Sequence, residues 1–231
     1  MIYLTADLHG DPDRLRAARR KLRRRDTLIV LGDFGFVWTG DKSEQKRLRR
    51  IAKGRGTVLF LDGAHENFDL LEEYPLVDFA GGRARKLGER LFYLERGACY
   101  TIEGRSLLCM GGGESEDPAD REEGVSWWPQ ELPDEADFAR CRESLAAHFG
   151  KVDYILTHTP PLRLRRFLLP GDREQDNRLE IFLDTLADSA DYRCWYFGQL
   201  HLDRAVGPRA VAVYRRVLPL WVPPKKKLFH R

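Results

Sequence analysis

Five apolar runs in this chain each end beside a side chain that binds metals or moves protons. Ile2–Thr5 precedes Asp7 and His9, and Thr27–Leu31 precedes Asp33. Thr57–Leu61 precedes His65 and Glu66, Val152–Thr157 precedes His158, and Trp195–Phe197 precedes Gln199 and His201. Short, continuous apolar runs are the pattern of parallel strands buried on both faces. Strands that deliver such side chains at their carboxyl ends build one site. The pattern therefore predicts an α/β domain with a single cluster at one edge.

The local sequence supports each delivery. Residues two apart on extended chain point the same way, so Asp7 and His9 can grip one ion. Gly32 and Gly35 flank Asp33, and Gly63 lets the chain bend before His65. Pro160 and Pro161 stop the strand that aims His158.

Between these runs the spacing predicts a helix from Asp11, with Pro12 at its first position, to about Arg25. Further helices are expected over Asp41–Lys53, Asn67–Glu73, Pro133–Phe149 (Asp134 as N-cap) and Leu179–Ala187. Gly81–Gly88 reads as a basic loop, and Leu91–Leu94, Ala98–Glu103 and Ser106–Met110 read as short strands. Leu162–Asn177 reads as an irregular basic flap, and Ala210–Tyr214 with Val217–Val222 as a closing hairpin. Gly111–Gly113 either admits a ligand to the backbone or forms a permissive loop. Trp127 and Trp128 either wall a cleft or anchor a long loop.

The bulk numbers narrow the class. A chain of 231 residues suits one domain, here residues 1–222, followed by a basic tail at 223–231. No apolar run is long enough to span a bilayer and no signal-peptide layout opens the chain, so the expected location is cytoplasmic with no membrane partner. The four cysteines contain no C-x-x-C pair, which argues against a thiolate zinc site and against a disulfide framework. Net charge is only +3, yet most basic residues are Arg. That excess reads as a genomic bias toward Arg codons, with the first helix a solvated outer face, or as a set of contacts to an anionic partner such as nucleic acid, through that helix and Arg163, Arg165 and Arg166.

In order, Asp7-x-His9, Gly32-Asp33-x-Gly35, Gly63-x-His65-Glu66, Thr157-His158-Thr159 and Gly198-x-x-His201 resemble the motif series of the calcineurin-like metallophosphoesterases, from Met1 to about Val222. Asn67–Leu71 and Ser126–Leu132 also look like a bacterial and phage subgroup of that family. The resemblance implies a four-layer α/β/β/α sandwich with two divalent ions, Mn²⁺ first and Fe²⁺ or Zn²⁺ as alternatives. It implies a strong first site of Asp7, His9, Asp33 and His201. It implies a weaker second site of Asp33, His158 and Gln199, because Ala64 stands where the family has an Asn and Gln199 where it has a His. It implies that Asp33 bridges, that His65 faces the phosphate, and that Glu66 orients His65 or a ligand.

The implied activity is hydrolysis of a phosphate mono- or diester, in a small molecule or nucleotide, by metal-activated water. Ala64 and Gln199 keep a second reading open, a non-catalytic binding protein. A third is a nucleic-acid phosphoesterase. Oligomeric state is not legible.

Overall fold

The apolar runs do become strands. The computed structural model describes residues 1–115, 120–171 and 175–220. Its strands are β1 (Ile2–Thr5), β2 (Thr27–Leu31), β3 (Thr57–Leu61), β4 (Leu76–Phe79), β5 (Gly82–Gly88) and β6 (Leu91–Leu94). They continue with β7 (Cys99–Ile102), β8 (Arg105–Met110), β9 (Tyr154–Thr157), β10 (Cys194–Phe197), β11 (Arg204–Val206), β12 (Ala210–Ala212) and β13 (Leu218–Pro219). The helices are α1 (Pro12–Arg19), α2 (Lys42–Lys53), α3 (Phe68–Glu72), α4 (Glu135–Ala147), α5 (Leu162–Leu168) and α6 (Arg178–Ser189).

Two mixed sheets result, making the chain a mixed α/β protein. The first has the order β13-β1-β2-β3-β6-β5-β4 and the second β11-β12-β10-β9-β8-β7. In the first, β1, β2, β3 and β6 pair in parallel, with antiparallel strands at both flanks. In the second, β8, β9, β10 and β12 pair in parallel, again flanked by antiparallel strands.

Three apolar clusters hold these elements. One joins residues of both sheets, among them Leu4, Leu31, Leu61, Leu107, Leu156 and Tyr196. A second packs Leu15 and Ala18 of α1, and Leu48 and Ile51 of α2, on β2 and β3. A third packs Phe138, Cys141, Leu179 and Leu183 of α4 and α6 on β8, β9 and β10. All four cysteines are buried and free. Among the described residues no helix is long and apolar enough to cross a membrane.

The caps follow from the sequence. The Asp11 carboxylate accepts from the Asp13 and Arg14 amides, with Pro12 opening α1, and the Asp134 carboxylate closes a capping box with Asp137. α1 is shorter than its pattern suggests. It ends at Arg19, whose guanidinium crosses to the Ile51 and Arg55 carbonyls, and the Asp26 carboxylate accepts from the Arg23 amide to turn the chain.

Three other expectations are corrected. Gly81–Gly88 is no loop: β4 and β5 form a hairpin around Ala80 and Gly81, both at positive φ, as two-residue type I′ turns require. Ala84 packs in the cluster between the sheets and Leu87, where the register shifts, in the cluster with α1 and α2, and the intervening Arg and Lys mask the strand in the sequence. Leu162–Leu168 is helix α5, not an irregular flap. The expected closing hairpin is split. β12 pairs with β11, which the sequence reading missed, and β13 crosses to the first sheet beside β1. Trp221, Val222 and the basic tail lie outside the described residues.

Candidate metal centre

The loops after β1, β2, β9 and β10 converge, and they do so through unusual backbone. Asp7, His9, Asp33, Gln199 and His201 all have φ between +47° and +62°. Only three other described non-glycine residues, Ala80, Glu103 and Phe149, share that region. Each such residue costs about 1–2 kcal/mol, and such strain persists only where its surroundings over-determine it. Here a ladder does so. The Asp7 amide donates to the Gly32 carbonyl at 3.1 Å, His9 to Asp33 at 2.9 Å, Gly10 to Phe34 at 3.0 Å and Gly198 to His158 at 3.0 Å. Asp7 and His9 therefore share a direction through two left-handed residues, not through the strand alternation expected of them.

Three groups of side chains have ligand atoms within 4.8 Å of one another: Asp7, His9 and His201; His9, Asp33 and His65; and Asp7, Asp33 and His158. His9 Nε2 lies 3.4 Å from His201 Nε2 and 3.7 Å from Asp33 Oδ2. His158 Nδ1 lies 3.0 Å from the Leu31 carbonyl oxygen, so that nitrogen carries the proton and donates. Its Nε2 lone pair is left facing Asp33 Oδ1 at 3.8 Å. Gly63 leaves room for this: a Cβ there would fall 2.2 Å from Asp33 Oδ1 and 2.7 Å from His158 Nε2.

Two buried oxygens, Asp7 Oδ2 and Gln199 Oε1, have no hydrogen-bond partner. An unsatisfied buried acceptor costs roughly 1–3 kcal/mol, more when charged. A cation coordinated by these oxygens and the neighbouring imidazoles removes that cost, and a mixed carboxylate, amide and imidazole set suits a divalent ion. The residues present fit such an ion.

Electrostatics point the same way. Burial pushes the Asp7 carboxyl up to about 7, with His158 pulling it back and Asp33 repelling it. Burial also opposes charge on Asp33, but His158 and the His65 hydrogen bonds overcome it and hold this carboxyl well below the usual range. Burial lowers His9 and His201, which favours the neutral, ligating imidazole. The hydrogen bond to Asp33 raises His65 against its partial burial.

Several expected roles change. Glu66 is fully buried and faces away from His65; its carboxylate accepts from the amides of Phe34 at 2.6 Å and Gly35 at 3.2 Å. It fixes the loop that carries Asp33 and does not reach the reacting space. Burial and the Asp33 charge raise its pKa. The three glycines at 111–113 approach the fold itself. Cβ atoms there would strike Asp62 Oδ1 at 1.9 Å, Pro133 at 2.6 Å and His158 Cδ2 at 2.9 Å. Trp128 is buried, donates to Asp69 Oδ2 at 2.8 Å and meets Trp38 edge-on, so it anchors its loop. Asp62 accepts from Tyr93 and Arg96 in a buried ion pair beneath the cluster. Arg163 pairs with Asp184 and Asp188, Arg165 with Glu180 and Asp176, and Arg166 with Asp176.

Three residues matter that the sequence did not single out. Arg14 donates to the carbonyls of Asp7, Ala6 and Tyr214, clamping the first turn. Tyr214 stacks on His201 at 4.6 Å between ring centroids. Arg121 Nη2 stands 3.3 Å from His65 Nε2. Nothing in a chain so rich in Arg marks Arg14 or Arg121 beforehand; only their partners do. A cleft of about 560 Å³ reaches the cluster at Gln199 and His201, walled by Glu114, Leu169 and Asn177.

No family model matches this chain, and no curated protein does. Among solved structures, a distant neighbour is the phosphopantetheinyl hydrolase from Mycobacterium tuberculosis, at 17% identity and a TM-score of 0.40, covering 93% of this chain and 90% of that one. A likeness at that level carries no chemistry across.

Proposed function

We propose that the chain is a metal-dependent hydrolase of phosphate mono- or diesters, built as a four-layer α/β/β/α sandwich of the metallophosphoesterase type. The three apolar clusters support the layering. One observation carries the chemistry: two buried, unpartnered oxygens on Asp7 and Gln199 lie among histidines held by left-handed turns. Asp7, His9, Asp33 and His201 would hold one divalent ion, and Asp33, His158 and Gln199 a second, weaker one. Such an ion, when bound, supplies Lewis acidity toward a phosphoryl oxygen and acidifies a water.

The chain's own groups do the rest. Asp33 fixes the His65 ring by accepting from its amide at 2.9 Å and from Nδ1 at 3.1 Å. Nε2 of His65 then faces outward beside Arg121. A phosphate oxygen entering between the two accepts from the guanidinium and, when His65 is protonated, from its Nε2–H. The hydrogen bond to Asp33 favours that state by raising His65 above its ordinary value, and the proton can pass to the leaving oxygen. The cleft beside Gln199 receives the alcohol portion of the ester.

A non-catalytic binding role is the second reading, and Ala64 favours it, since no donor atom stands there. Elemental analysis after dialysis against Mn²⁺, Fe²⁺ and Zn²⁺, paired with hydrolysis of bis(p-nitrophenyl) phosphate, decides between them. Bound metal with metal-dependent turnover supports the enzyme. Absence of bound metal under all three conditions overturns it.

A further inference from the structure

α1 and α2 lie on the same outer face, because each follows one of two adjacent parallel strands and both enter one apolar cluster. Between them runs a groove of about 810 Å³. Its floor includes Leu15 and Ile51, both buried. Its walls carry Arg20, Lys46, Arg47, Arg50 and Arg55, all exposed.

The acids near these cations are already engaged. Asp13 pairs with Arg16. Glu44 is buried and accepts from the amides of Trp38, Thr39 and Gly40. Asp41 caps α2, with Arg47 as its charged neighbour. Among the described residues no ion pair or hydrogen bond engages the side chains of Arg20, Lys46, Arg50 or Arg55. This contrasts with α5, where Arg163, Arg165 and Arg166 all face acids. The fold neutralises its arginines on one helix and leaves a concave row of cations bare between two others. Like charges gathered in a groove repel one another until an anion enters.

We propose that this groove binds the phosphate backbone of a single nucleic-acid strand. Lys46 and Arg50 sit one helical turn apart, about 6 Å along the axis, and α2 is about 18 Å long, so successive phosphates are met, not one. A flat bilayer cannot follow a concavity, and no exposed aromatic residue lines the groove to insert. Phe36 lines the groove but is 1% exposed, so no stacking platform selects bases and recognition is sequence-independent. Pro12 and Phe36 mark one end, each three residues past a cluster residue, His9 and Asp33. A strand leaving by that end runs toward the metal centre. Binding in the groove needs no metal and stands apart from the hydrolase reading.

Fluorescence anisotropy with a labelled oligothymidine, full-length protein and EDTA tests this. Four phosphate contacts predict a log–log salt slope of about −3. The variant Arg20→Gln, Lys46→Gln, Arg50→Gln, Arg55→Gln should lose at least about tenfold in affinity and most of that slope. It should keep its melting temperature and its turnover of bis(p-nitrophenyl) phosphate. The pair Arg163→Gln, Arg166→Gln should bind the strand as the parent does. Unchanged affinity and slope in the fourfold variant overturn the proposal. So does absence of strand binding in the parent, or variant-sensitive binding only to phosphatidylserine vesicles or to inorganic tripolyphosphate.

Discussion

His158 and His201 stand at opposite extremes of one cluster. His158 is 1% exposed, wedged between Gly32, Gly63 and Gly113, and its Nδ1 is committed to the Leu31 carbonyl. His201 is exposed, rests on Tyr214, and meets His9 in a T-shaped contact. The group around His158 is wholly buried but meets Ala64 where a ligand is missing. The group around His201 and His9 has its full donor set and an open face. One half is buried with few donors, and the other has more donors and an open face. Donor number and burial are separate contributions to metal affinity, and this chain has distributed them unequally.

The largest effect should come from removing the residue both halves share. Asp33→Asn should reduce hydrolysis by about a thousandfold or more, since even outer-shell changes cost 10–100-fold, and should lower bound metal at both sites. Retained metal stoichiometry would contradict a shared ligand. Next, His158→Ala and His201→Ala should separate burial from access. Both should lower metal content, but only His158→Ala should also lower metal-free stability, by about 1–3 kcal/mol, because it orphans the Leu31 carbonyl. Urea titrations in EDTA measure this, and equal losses would erase the distinction. Restoring donors to the poor half, by Ala64→Asn with Gln199→His, should raise metal stoichiometry and increase turnover about tenfold. No gain in either would favour the binding role.

The pH dependence of the metal-free protein sharpens the same contrast. Between the ordinary 3.8 and about 7, folded Asp7 holds a proton that the unfolded chain has released. That stabilisation is complete below about pH 4 and is lost as pH rises through about 7. His9 and His201, lowered by burial, contribute the opposite slope around their ordinary value of 6.5. Parent minus Asp7→Asn therefore isolates the Asp7 contribution, which should fall with pH in thermal melts. Added Mn²⁺ should stabilise more as pH rises, because the ion needs the carboxylate. The smallest effect should be that of Arg121→Gln. It should raise KM several-fold with little change in kcat, as loss of a ground-state phosphate contact does; a pure kcat loss would assign Arg121 to the transition state.

Much of this was legible in the chain. The five apolar runs predicted strands because periodicity and burial agree there, and each deposits its Asp, His or Gln at one edge. The sequence could not show how those residues are aimed, since left-handed φ at Asp7 or Gln199 depends on hydrogen bonds from a neighbouring loop. Glu66 was expected to orient His65 or a ligand; consecutive residues in a turn diverge, and it holds the loop of Asp33 through backbone amides. β5 was hidden by Arg83, Arg85 and Lys86, and β4 by its length of only four residues. The fate of each Arg was not readable at all. Arg14, Arg121, Arg163 and Arg50 have the same chemistry and differ only in what the fold places opposite them.

The pairing of Leu4 with Leu218 has a consequence for how such a chain comes off a ribosome. Vectorial synthesis exposes β1 long before β13 exists, so its outer edge waits unpaired while most of the domain is made. Asp7, His9 and Asp33 emerge in that same early portion, whereas Gln199, His201 and the Tyr214 carbonyl that receives Arg14 emerge late. A nascent chain thus carries half the donors and none of the enclosure. Order of emergence would keep the cage from closing on an ion until the sheet itself has closed.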